Sequence, residues 1–352
     1  MNIIQLVRDY GPVGGMEGYV WNVTRAMAEM GHSVIVICNQ NHCDENSENI
    51  EIYEFHGKLK KPRWLQAVLF SNRCSEKIDE IRKLDTEKKW TIFSHERTSC
   101  HDFATFHGPP FATTREKPFW EKLSLRHFMN VRLEQNQVCW SETCTVIPVS
   151  VHIKSMLEKF YTDEGIQLTD PIVPGVDPQG LAKIEKAEGD NKVIGFVGKE
   201  WKRKGLIFAL DVFQELSKTC SELEFWIIGA DEKAIFSLVE PYKKSLNIKT
   251  WGYVENRLAL FNQLDLLIHP AKAEPFGMII TEALTAGVPV LISDNCGAKS
   301  EVTQGRGKVM SLNDDLENWS ATAAKLLKEG NTGDPYARNW NVVAQEYLKL
   351  AE

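Results

Sequence analysis

The chain has 352 residues, of which 43% are hydrophobic and 25% are charged, and its formal net charge at pH 7 is −7. This length suits two domains better than one core, and the composition excludes a disordered, collagen-like or coiled-coil protein. The acidic balance argues against a nucleic-acid partner, because general nucleic-acid binders carry a basic surface that displaces counterions.

The expected compartment follows from the targeting and cysteine patterns. The apolar runs stay shorter than the roughly 20 residues that a membrane-spanning helix needs, and the N-terminal segment has the pattern of a strand rather than of a signal peptide. The eight cysteines are scattered without a C-x-x-C pair, which predicts neither a disulfide framework nor a zinc site. We therefore expect a cytoplasmic protein.

Short runs rich in β-branched residues alternate with longer helical stretches. The predicted strands lie at 3–7, 33–38, 50–55, 90–95, 145–150, 192–198, 224–229, 248–254, 264–270 and 288–293. Several of these runs are almost continuously apolar, which is typical of parallel strands covered by helices on both faces. The predicted fold class is α/β, with a doubly wound, Rossmann-like domain in each half of the chain.

Residues 165–178 separate the two series of strands and contain three prolines and two glycines. A segment of this composition without sustained periodicity predicts a hinge. We expect a first domain at 1–168, a second at 169–335 and a terminal helix at 336–352, for which crossing back to the first domain is left open.

A glycine cluster that includes Gly14 and Gly15 lies directly after the first strand and opens a helix. Glycines let a backbone approach a ligand closely, and a helix N-terminus offers free amides to an anion. The cluster therefore predicts a pyrophosphate seat, with a tight turn that binds no ligand as the alternative. A nicotinamide site is disfavoured, because the second strand ends in Cys38-Asn39-Gln40 without the acidic residue that binds ribose.

The segment 115–132 is basic and aromatic within an acidic chain. It carries Arg115, Lys117, Lys122, Arg126 and Arg132 against two glutamates, and Phe119, Trp120, Leu123, Phe128 and Met129 lie between the charges. This pattern is typical of a helix on an anionic membrane surface. The alternative is a surface helix whose aromatic side chains enter the core.

The turn at 198–210 holds Lys199, Lys202, Arg203 and Lys204 at the start of a helix. Cations oppose the macrodipole at a helix N-terminus unless an anion compensates them. A diphosphate would do so, with Arg203 as a bidentate fork and Lys204 as a point charge. A solvated basic turn is the alternative.

The segment 269–297 combines carboxylates with a glycine-initiated helix. Glu274 lies in a loop after a strand, Phe276, Gly277 and Met278 begin the next helix, and Glu282 lies in its second turn. The amides at the helix start would face a ligand, and the two carboxylates can accept hydrogen bonds from sugar and ribose hydroxyls.

Four features taken together resemble family 4 of the retaining glycosyltransferases. They are the Glu274-x7-Glu282 spacing with its P-F-G, the Arg203-Lys204-Gly205 turn, the early Gly14-Gly15 and the P-G-V-D at 174–177. The resemblance spans nearly the whole chain and implies the GT-B fold, two Rossmann-like domains facing a central cleft. It also implies that 1–168 binds the acceptor and 169–335 binds the nucleotide-sugar donor.

The resemblance implies a role for each motif. Glu282 would bind the ribose, Glu274 and the backbone of 276–278 would bind the donor sugar, Arg203 and Lys204 would neutralise the diphosphate, and Gly15 would lie over it. It further implies a histidine or aspartate near the donor sugar, in the loop after the fourth strand or its neighbour. His107 is the candidate that we prefer for this role, and the others are His95, His101 and Asp102.

The implied reaction moves a hexose from a nucleoside-diphosphate sugar, expected to be UDP-linked, to a saccharide or glycolipid acceptor. No metal or other cofactor is expected, because basic side chains and amides would neutralise the diphosphate and no D-x-D signature occurs. The 115–132 segment resembles an insertion of the lipopolysaccharide-core glucosyltransferase I subgroup, which points to polysaccharide synthesis at the inner face of the cytoplasmic membrane. The alternatives are an epimerase or hydrolase of the same fold and a non-catalytic sugar-nucleotide-binding protein.

Overall fold

The computed structural model describes residues 1–44, 47–55, 62–116, 118–139, 141, 144–177, 191–254 and 258–352. The chain divides into two compact units, one of Met1–Gly175 with Trp340–Glu352 and the other of Val176–Asn339. The sequence predicted the division between 168 and 169 and the last helix from 336. The structure sets both limits a few residues later and groups that helix with the first unit.

A parallel sheet forms the centre of the first unit. In chain order, its described strands are β1 (Asn2–Leu6), β2 (Asp9–Tyr10), β3 (Ser33–Cys38), β4 (Gln40–Asn41), β5 (Ile50–Glu54), β6 (Trp90–Ser94), β7 (Phe103–Phe106), β8 (Thr145–Pro148) and β9 (Gln167–Leu168). The sheet order is β5-β3-β1-β6-β7-β8-β9, and β2 pairs separately with β4. Every pairing in it is parallel.

Helices lie on both faces of this sheet, which explains its continuously apolar strands. The helices of this part of the chain are α1 (Gly15–Glu29), α2 (Arg63–Leu84), α3 (Phe119–Lys122), α4 (Leu125–Cys139) and α5 (Val151–Tyr161), with short 3₁₀ helices at Phe111–Glu116 and Thr162–Glu164. Ile35 and Ile37 share a buried cluster with residues of α2, whereas Val36 packs with Val20 of α1. Successive side chains of a strand therefore pack against the helices on opposite faces of the sheet.

The second unit repeats this architecture. Its described strands are β10 (Lys192–Val197), β11 (Leu223–Ile228), β12 (Ile248–Gly252), β13 (Leu266–His269), β14 (Val290–Ser293) and β15 (Gly307–Met310), in the parallel order β12-β11-β10-β13-β14-β15. The helices are α6 (Trp201–Lys204), α7 (Leu206–Leu216), α8 (Glu232–Lys243), α9 (Leu258–Phe261), α10 (Met278–Thr285) and α11 (Leu316–Glu329), with a 3₁₀ helix at Gly297–Glu301. The last helix of the chain, α12 (Trp340–Ala351), packs against α1 of the first unit.

The predicted α/β class with parallel strands is confirmed in both units. The four-residue strand β7 was not predicted, so the residues just before His107 form a strand of the sheet rather than part of the loop expected after the fourth predicted strand. The predicted strand at 248–254 ends at Gly252, where the backbone takes φ +56°. A glycine tolerates this left-handed conformation, which breaks the extended strand.

The strand order places one crevice in each sheet. In the first sheet the order reverses between β1 and β6, and in the second it reverses between β10 and β13. Open α/β sheets bind ligands outside the carboxyl ends of the strands at such a switch point. The segments that follow these strands are the ones that carry most of the predicted site residues.

A helix that crosses a bilayer needs roughly 20 mostly apolar residues. No helix within the described part of the chain is long and apolar enough to cross a membrane.

Candidate active site

A glycine lets the basic turn of the second unit approach the loop that follows β13. Gly205 adopts φ +82°, and a Cβ there would lie only 2.0 Å from the Pro270 carbonyl oxygen. The backbone of Lys272 also donates a hydrogen bond to the Arg203 carbonyl at 2.9 Å. Only a glycine permits this approach, and it sets the predicted cations beside the predicted carboxylate.

Glu274 is the centre of a charged cluster. Its Oε2 lies 3.3 Å from Arg203 Nη1 and 3.6 Å from Lys204 Nζ. His269 Nε2 lies 3.2 Å from the same oxygen. The carboxylate is buried, with 8% of the residue exposed. The structure thus joins the predicted diphosphate and donor-sugar residues in one site.

Arg203 is held in place by further acceptors. Its Nη2 donates to Glu200 Oε2 at 2.6 Å, its Nε reaches the same oxygen at 3.1 Å, and its Nη1 donates to the Ala273 carbonyl. The guanidinium is therefore oriented by the turn on which it lies and by the neighbouring loop. A preorganised fork of this kind loses little entropy when it binds a diphosphate.

The charge of Glu274 is fixed by opposing effects. Burial raises the pKa of its carboxyl, but the hydrogen bond from His269 and the charges of Lys204 and Arg203 outweigh burial and hold the pKa at about 2. Burial lowers the pKa of His269, so its neutral imidazole donates Nε2–H to the carboxylate. Glu274 is therefore a permanent hydrogen-bond acceptor at neutral pH.

The start of α10 completes this side of the site. Gly277 takes φ +99° immediately before the helix, and it offers no side-chain cap to the first backbone N–H groups. A Cβ on Gly277 would lie 3.0 Å from Glu274 Cγ, so Met278 and its amide begin the helix close to the carboxylate. Glu282 is buried in the same helix. The amides at this N-terminus suit an anion or a polar sugar atom.

A second loop fixes the backbone of Glu274. Glu274 N donates to the Asn295 carbonyl at 3.1 Å, and Gly297 N donates to the Glu274 carbonyl at 2.8 Å. A Cβ on Gly297 would lie 1.9 Å from the Pro275 carbonyl oxygen. The sequence interpretation missed both Gly297 and His269, although a histidine that ends a strongly apolar strand was a usable signal.

The glycine cluster of the first unit forms the start of α1. Gly14 is the N-cap with extended backbone, and Gly15 is the first helical residue. Glu17 already occupies the space above Gly14, since a Cβ there would lie 2.1 Å from its Oε2, whereas a Cβ on Gly15 would meet nothing within 4 Å. The space above Gly15 is thus open, as a seat for a ligand requires.

His107 follows β7 at the carboxyl-end edge of the first sheet. Its Nε2 lies 2.9 Å from His95 Nδ1, and the Tyr19 ring meets its imidazole edge-on with 4.9 Å between ring centroids. The surrounding protein desolvates the imidazole and lowers the pKa of His107 to about 3. His107 is partly exposed, whereas His95 is buried.

The other two candidates have structural partners. His101 is buried, and its Nε2 pairs with the Gln137 carbonyl at 3.0 Å while its Nδ1 pairs with Thr98. Asp102 accepts a hydrogen bond from Ile92 N at 2.9 Å and precedes β7, at the edge opposite to His107. The geometry therefore favours His107 among the four candidates.

A buried glutamate fixes the chain just after His107. Glu134 of α4 accepts hydrogen bonds from the backbone N–H groups of Phe111 and Ala112 at 2.5 and 2.8 Å and from the Tyr161 hydroxyl at 2.7 Å. The residue is fully buried, and three donors compensate its desolvation. The turn after β7 is thereby attached to α4.

The described residues of 115–132 expose large apolar side chains. Trp120 is 66% exposed, Leu123 is 75% exposed, and Leu125 and Phe128 are each 65% exposed. The alternative in which the aromatic side chains enter the core is wrong for Trp120 and Phe128. Lys117 lies outside the described residues, and so does the side chain of Phe119.

The cations of this segment differ in their contacts. Arg115 Nη2 forms an ion pair with Glu164 at 2.7 Å, and Lys122 donates to the Arg115 carbonyl. Arg126 and Arg132 of α4 are exposed. These two arginines are therefore the ones that extend from the helix that also exposes Leu125 and Phe128.

A family model matches most of the second unit. Residues 180–343 match the model of the family described as "Glycosyl transferases group 1". This region includes the basic turn, the Glu274 cluster and the whole of α10. The cluster thus lies within the region that matches this family model.

The chain spans most of one curated relative but only a small part of another. The chain is 22% identical to glycogen synthase of Mycobacterium tuberculosis (strain CDC 1551 / Oshkosh) over 375 residues, which covers 96% of this chain and 89% of the relative. It is 29% identical to poly(glycerol-phosphate) alpha-glucosyltransferase of Bacillus subtilis (strain 168) over 149 residues, which covers 42% of this chain and only 22% of that protein. Both matches support glycosyltransferase activity.

Solved structures show the fold of the whole chain. WaaG, a glycosyltransferase involved in lipopolysaccharide biosynthesis, superposes with a TM-score of 0.77 at 17% identity and covers 99% of this chain and 95% of its own. Anabaena Alr3699/HepE, solved in complex with UDP-glucose, superposes with a TM-score of 0.68 at 16% identity and covers 100% of this chain and 99% of its own. At this identity the likeness shows the GT-B fold.

Proposed function

We propose that this chain, a glycosyltransferase whose residues 180–343 match the group 1 family, transfers a hexose from a nucleoside-diphosphate sugar to a saccharide or glycolipid acceptor with retention of anomeric configuration. The observation that carries the proposal is the cluster of Arg203, Lys204 and His269 around the Glu274 carboxylate. It lies at the switch point of the second sheet, where such folds bind nucleotides.

The diphosphate of the donor is proposed to bind Arg203, Lys204 and the start of α10. Arg203 offers a planar fork that matches two phosphate oxygens, and Lys204 adds a compact charge. The amides after Gly277 add the positive end of a helix dipole. Glu282, buried one turn further along the helix, is proposed to accept hydrogen bonds from the ribose. A uridine base is our choice for the donor because HepE, which shares the fold, was solved with UDP-glucose.

Glu274 is proposed to bind hydroxyls of the donor sugar. Its Oε2 already faces three positive or hydrogen-bonding groups, which makes the carboxylate a weak nucleophile and a good acceptor. The acceptor hydroxyl is therefore proposed to form the new bond to the anomeric carbon directly. The bond from that carbon to the diphosphate breaks, and the departing phosphate oxygen takes the acceptor's proton on the same face.

The site is proposed to need no metal ion. Arg203, Lys204 and the helix N-terminus would stabilise the charge that develops on the leaving diphosphate. In other enzymes this is the task of a bound divalent cation. Here the cations are side chains of the protein itself, and Arg203 is oriented by Glu200 and the Ala273 carbonyl.

The acceptor is proposed to be lipid-linked and to be met at an anionic membrane surface, as in the synthesis of lipopolysaccharide or another cell-surface polysaccharide. Support comes from the exposed Trp120, Leu123 and Phe128, whose apolar groups would enter the interfacial region, and from Arg126 and Arg132 beside them. WaaG, which has the same fold, is described as involved in lipopolysaccharide biosynthesis.

Two other functions remain distinguishable by experiment. An epimerase or hydrolase of the same fold would change the nucleotide sugar without an acceptor, and a non-catalytic module would bind it unchanged. The test is a thermal-shift panel of nucleotide sugars, in which a ligand at 100 times its Kd stabilises the fold by about 2.7 kcal/mol. The stabilising donor is then incubated with and without saccharide acceptors. Donor consumption that depends on the acceptor supports transfer, whereas equal consumption without it contradicts transfer.

A further inference from the structure

Three polar side chains form a continuous hydrogen-bonded line in the first unit. Gln5 of β1 places its Oε1 2.8 Å from His95 Nε2, and His95 Nδ1 lies 2.9 Å from His107 Nε2. Gln5 and His95 are buried, and His107 at the end of the line is partly exposed. Gln5 lies in β1, and His95 and His107 directly follow β6 and β7 at the carboxyl edge of the sheet near its switch point.

Gln5 determines which atom donates and which accepts in each hydrogen bond of this line. Its Nε2 donates to the Met27 sulfur at 3.5 Å, and a thioether has no proton to give, so the amide nitrogen must face it. The amide oxygen therefore faces His95 and can only accept. His95 must carry its proton on Nε2.

The proton position on His95 in turn determines which nitrogen of His107 carries a proton. Burial lowers the pKa values of both histidines, so each is a neutral imidazole with one N–H and one lone pair. Since His95 Nδ1 holds the lone pair, His107 must donate from Nε2, which leaves a lone pair on its Nδ1. Among the described residues, no hydrogen bond reaches that Nδ1 atom.

The ring of His107 is also held in orientation. Tyr19 packs edge-on against it at 77°, and the Tyr19 hydroxyl bonds to that of Tyr347, which in turn contacts Thr105 Oγ1 at 2.7 Å. These contacts restrain the plane of the imidazole, while the line through His95 decides which nitrogen holds the proton.

We propose that Gln5 and His95 are positioning residues that hold His107 as the Nε2–H tautomer, with Nδ1 as a fixed acceptor for a substrate hydroxyl. This inference rests on the proposed function. A lone pair accepts a hydrogen bond from a sugar hydroxyl but repels a phosphate oxygen, so His107 selects the sugar or acceptor end of the bound substrates rather than the diphosphate.

The test reads the tautomer without any substrate. In protein labelled with ¹³C at histidine, the Cδ2 resonance of His107, assigned with His107→Gln, should report the Nε2–H tautomer at neutral pH. Gln5→Met keeps the length of the side chain but removes both amide bonds, and it should move this resonance towards the Nδ1–H form. The matched control is Thr105→Val, which removes a buried hydroxyl that bonds to Tyr347 rather than to either histidine and should leave the tautomer unchanged.

Kinetics with the donor found by thermal shift then connect the tautomer to the reaction. Gln5→Met should lower kcat roughly 10-fold or more and leave the KM of the nucleotide sugar nearly unchanged, whereas Thr105→Val should lower neither by as much. An Nδ1–H tautomer in the unmodified protein, or a Gln5→Met variant with an unmoved resonance, overturns the proposal. So does a moved resonance with normal kcat. If the unmodified protein transfers no sugar at all, the proposed function fails while the tautomer result still stands or falls separately.

Discussion

The Nε2 of His269 lies 3.2 Å from Oε2 of Glu274, and the imidazole is completely buried. This contact keeps the carboxylate oriented and charged, with its pKa at about 2 despite burial. A carboxylate held in this way does not exchange a proton at neutral pH. The pair therefore gives the site a constant negative charge between two cations, which favours binding of polar hydroxyls.

Removal of either oriented cation should disable donor use. Arg203→Ala or Lys204→Ala should lower kcat/KM by a factor on the order of 100 or more, because each removes charge stabilisation from the leaving diphosphate. Lys202→Ala is the matched control, since Lys202 is an exposed cation of the same turn that packs on Trp201. Steady-state kinetics of the three variants would decide, and near-normal turnover in both Arg203→Ala and Lys204→Ala would rule out the proposed diphosphate site.

Activity should survive excess EDTA. The expectation rests on Arg203, Lys204 and the α10 N-terminus as the neutralising groups. Turnover is measured before and after chelation and again after Mg²⁺ or Mn²⁺ is added. Complete loss that a divalent ion restores would show that the diphosphate is neutralised by a metal.

Two glycines should separate structural from functional effects. Gly205→Ala places a Cβ on a left-handed backbone and against the Pro270 carbonyl. The free energy of unfolding, measured by thermal unfolding, should therefore fall by about 1–3 kcal/mol. Gly15→Ala should change stability by less than about 1 kcal/mol, because its Cβ would meet nothing within 4 Å. If Gly15 lies over the diphosphate, the same variant should lose roughly 10-fold or more in kcat/KM. Unchanged kinetics of Gly15→Ala would remove it from the donor site.

The free energy of unfolding should fall as the pH drops below the pKa of free histidine. Burial lowers the pKa of His101 to about 4, against about 6.5 in the unfolded chain. Between these values the unfolded state binds a proton that the folded state does not, so the free energy of unfolding falls by about 1.4 kcal/mol per pH unit for this group. His101→Gln should show a shallower dependence in urea titrations from pH 6.5 to 4. An identical slope in both proteins would contradict a buried neutral His101.

Salt-sensitive binding to anionic vesicles is expected through α3 and α4. Each Lys or Arg near an anionic surface contributes about 1 kcal/mol, so Arg126→Glu with Arg132→Glu should greatly reduce sedimentation, and Trp120→Ser should weaken it further. Lys308→Glu with Lys328→Glu, two exposed positions in the second unit, is the charge-matched control. Equal sedimentation with neutral and anionic vesicles would make the exposed apolar surface a feature unrelated to membranes.

Most of the fold could be predicted from the sequence, because apolar strands and glycine-rich turns are local signals. The strand β7 escaped prediction, since its four residues FATF are too short to show a period. The edge strand β15, with the residues GKVM, lacks a continuous apolar run. Both are recognisable only through their pairing with neighbouring strands, which is a property of the tertiary structure.

The sequence predicted residues of the candidate site but not the contacts between them. Arg203 and Glu274 were each identified from their own turns, but the 3.3 Å contact between them depends on the adjacency of β10 and β13 and on the space that Gly205 leaves. His269 and Gln5 gave weaker signals, because a single polar residue in an apolar strand does not show what it faces. Distances between segments 70 or more residues apart require the folded chain.

The central claim is tested most directly by the anomeric configuration of an acceptor-dependent product. The protein is incubated with the nucleotide sugar that stabilises it and with a panel of saccharide and glycolipid acceptors, and the new glycosidic linkage is read by NMR. We predict a product that forms only with an acceptor, keeps the anomeric configuration of the donor and is lost in Arg203→Ala. Inversion of the anomeric centre, or release of free sugar at the same rate without any acceptor, would contradict it.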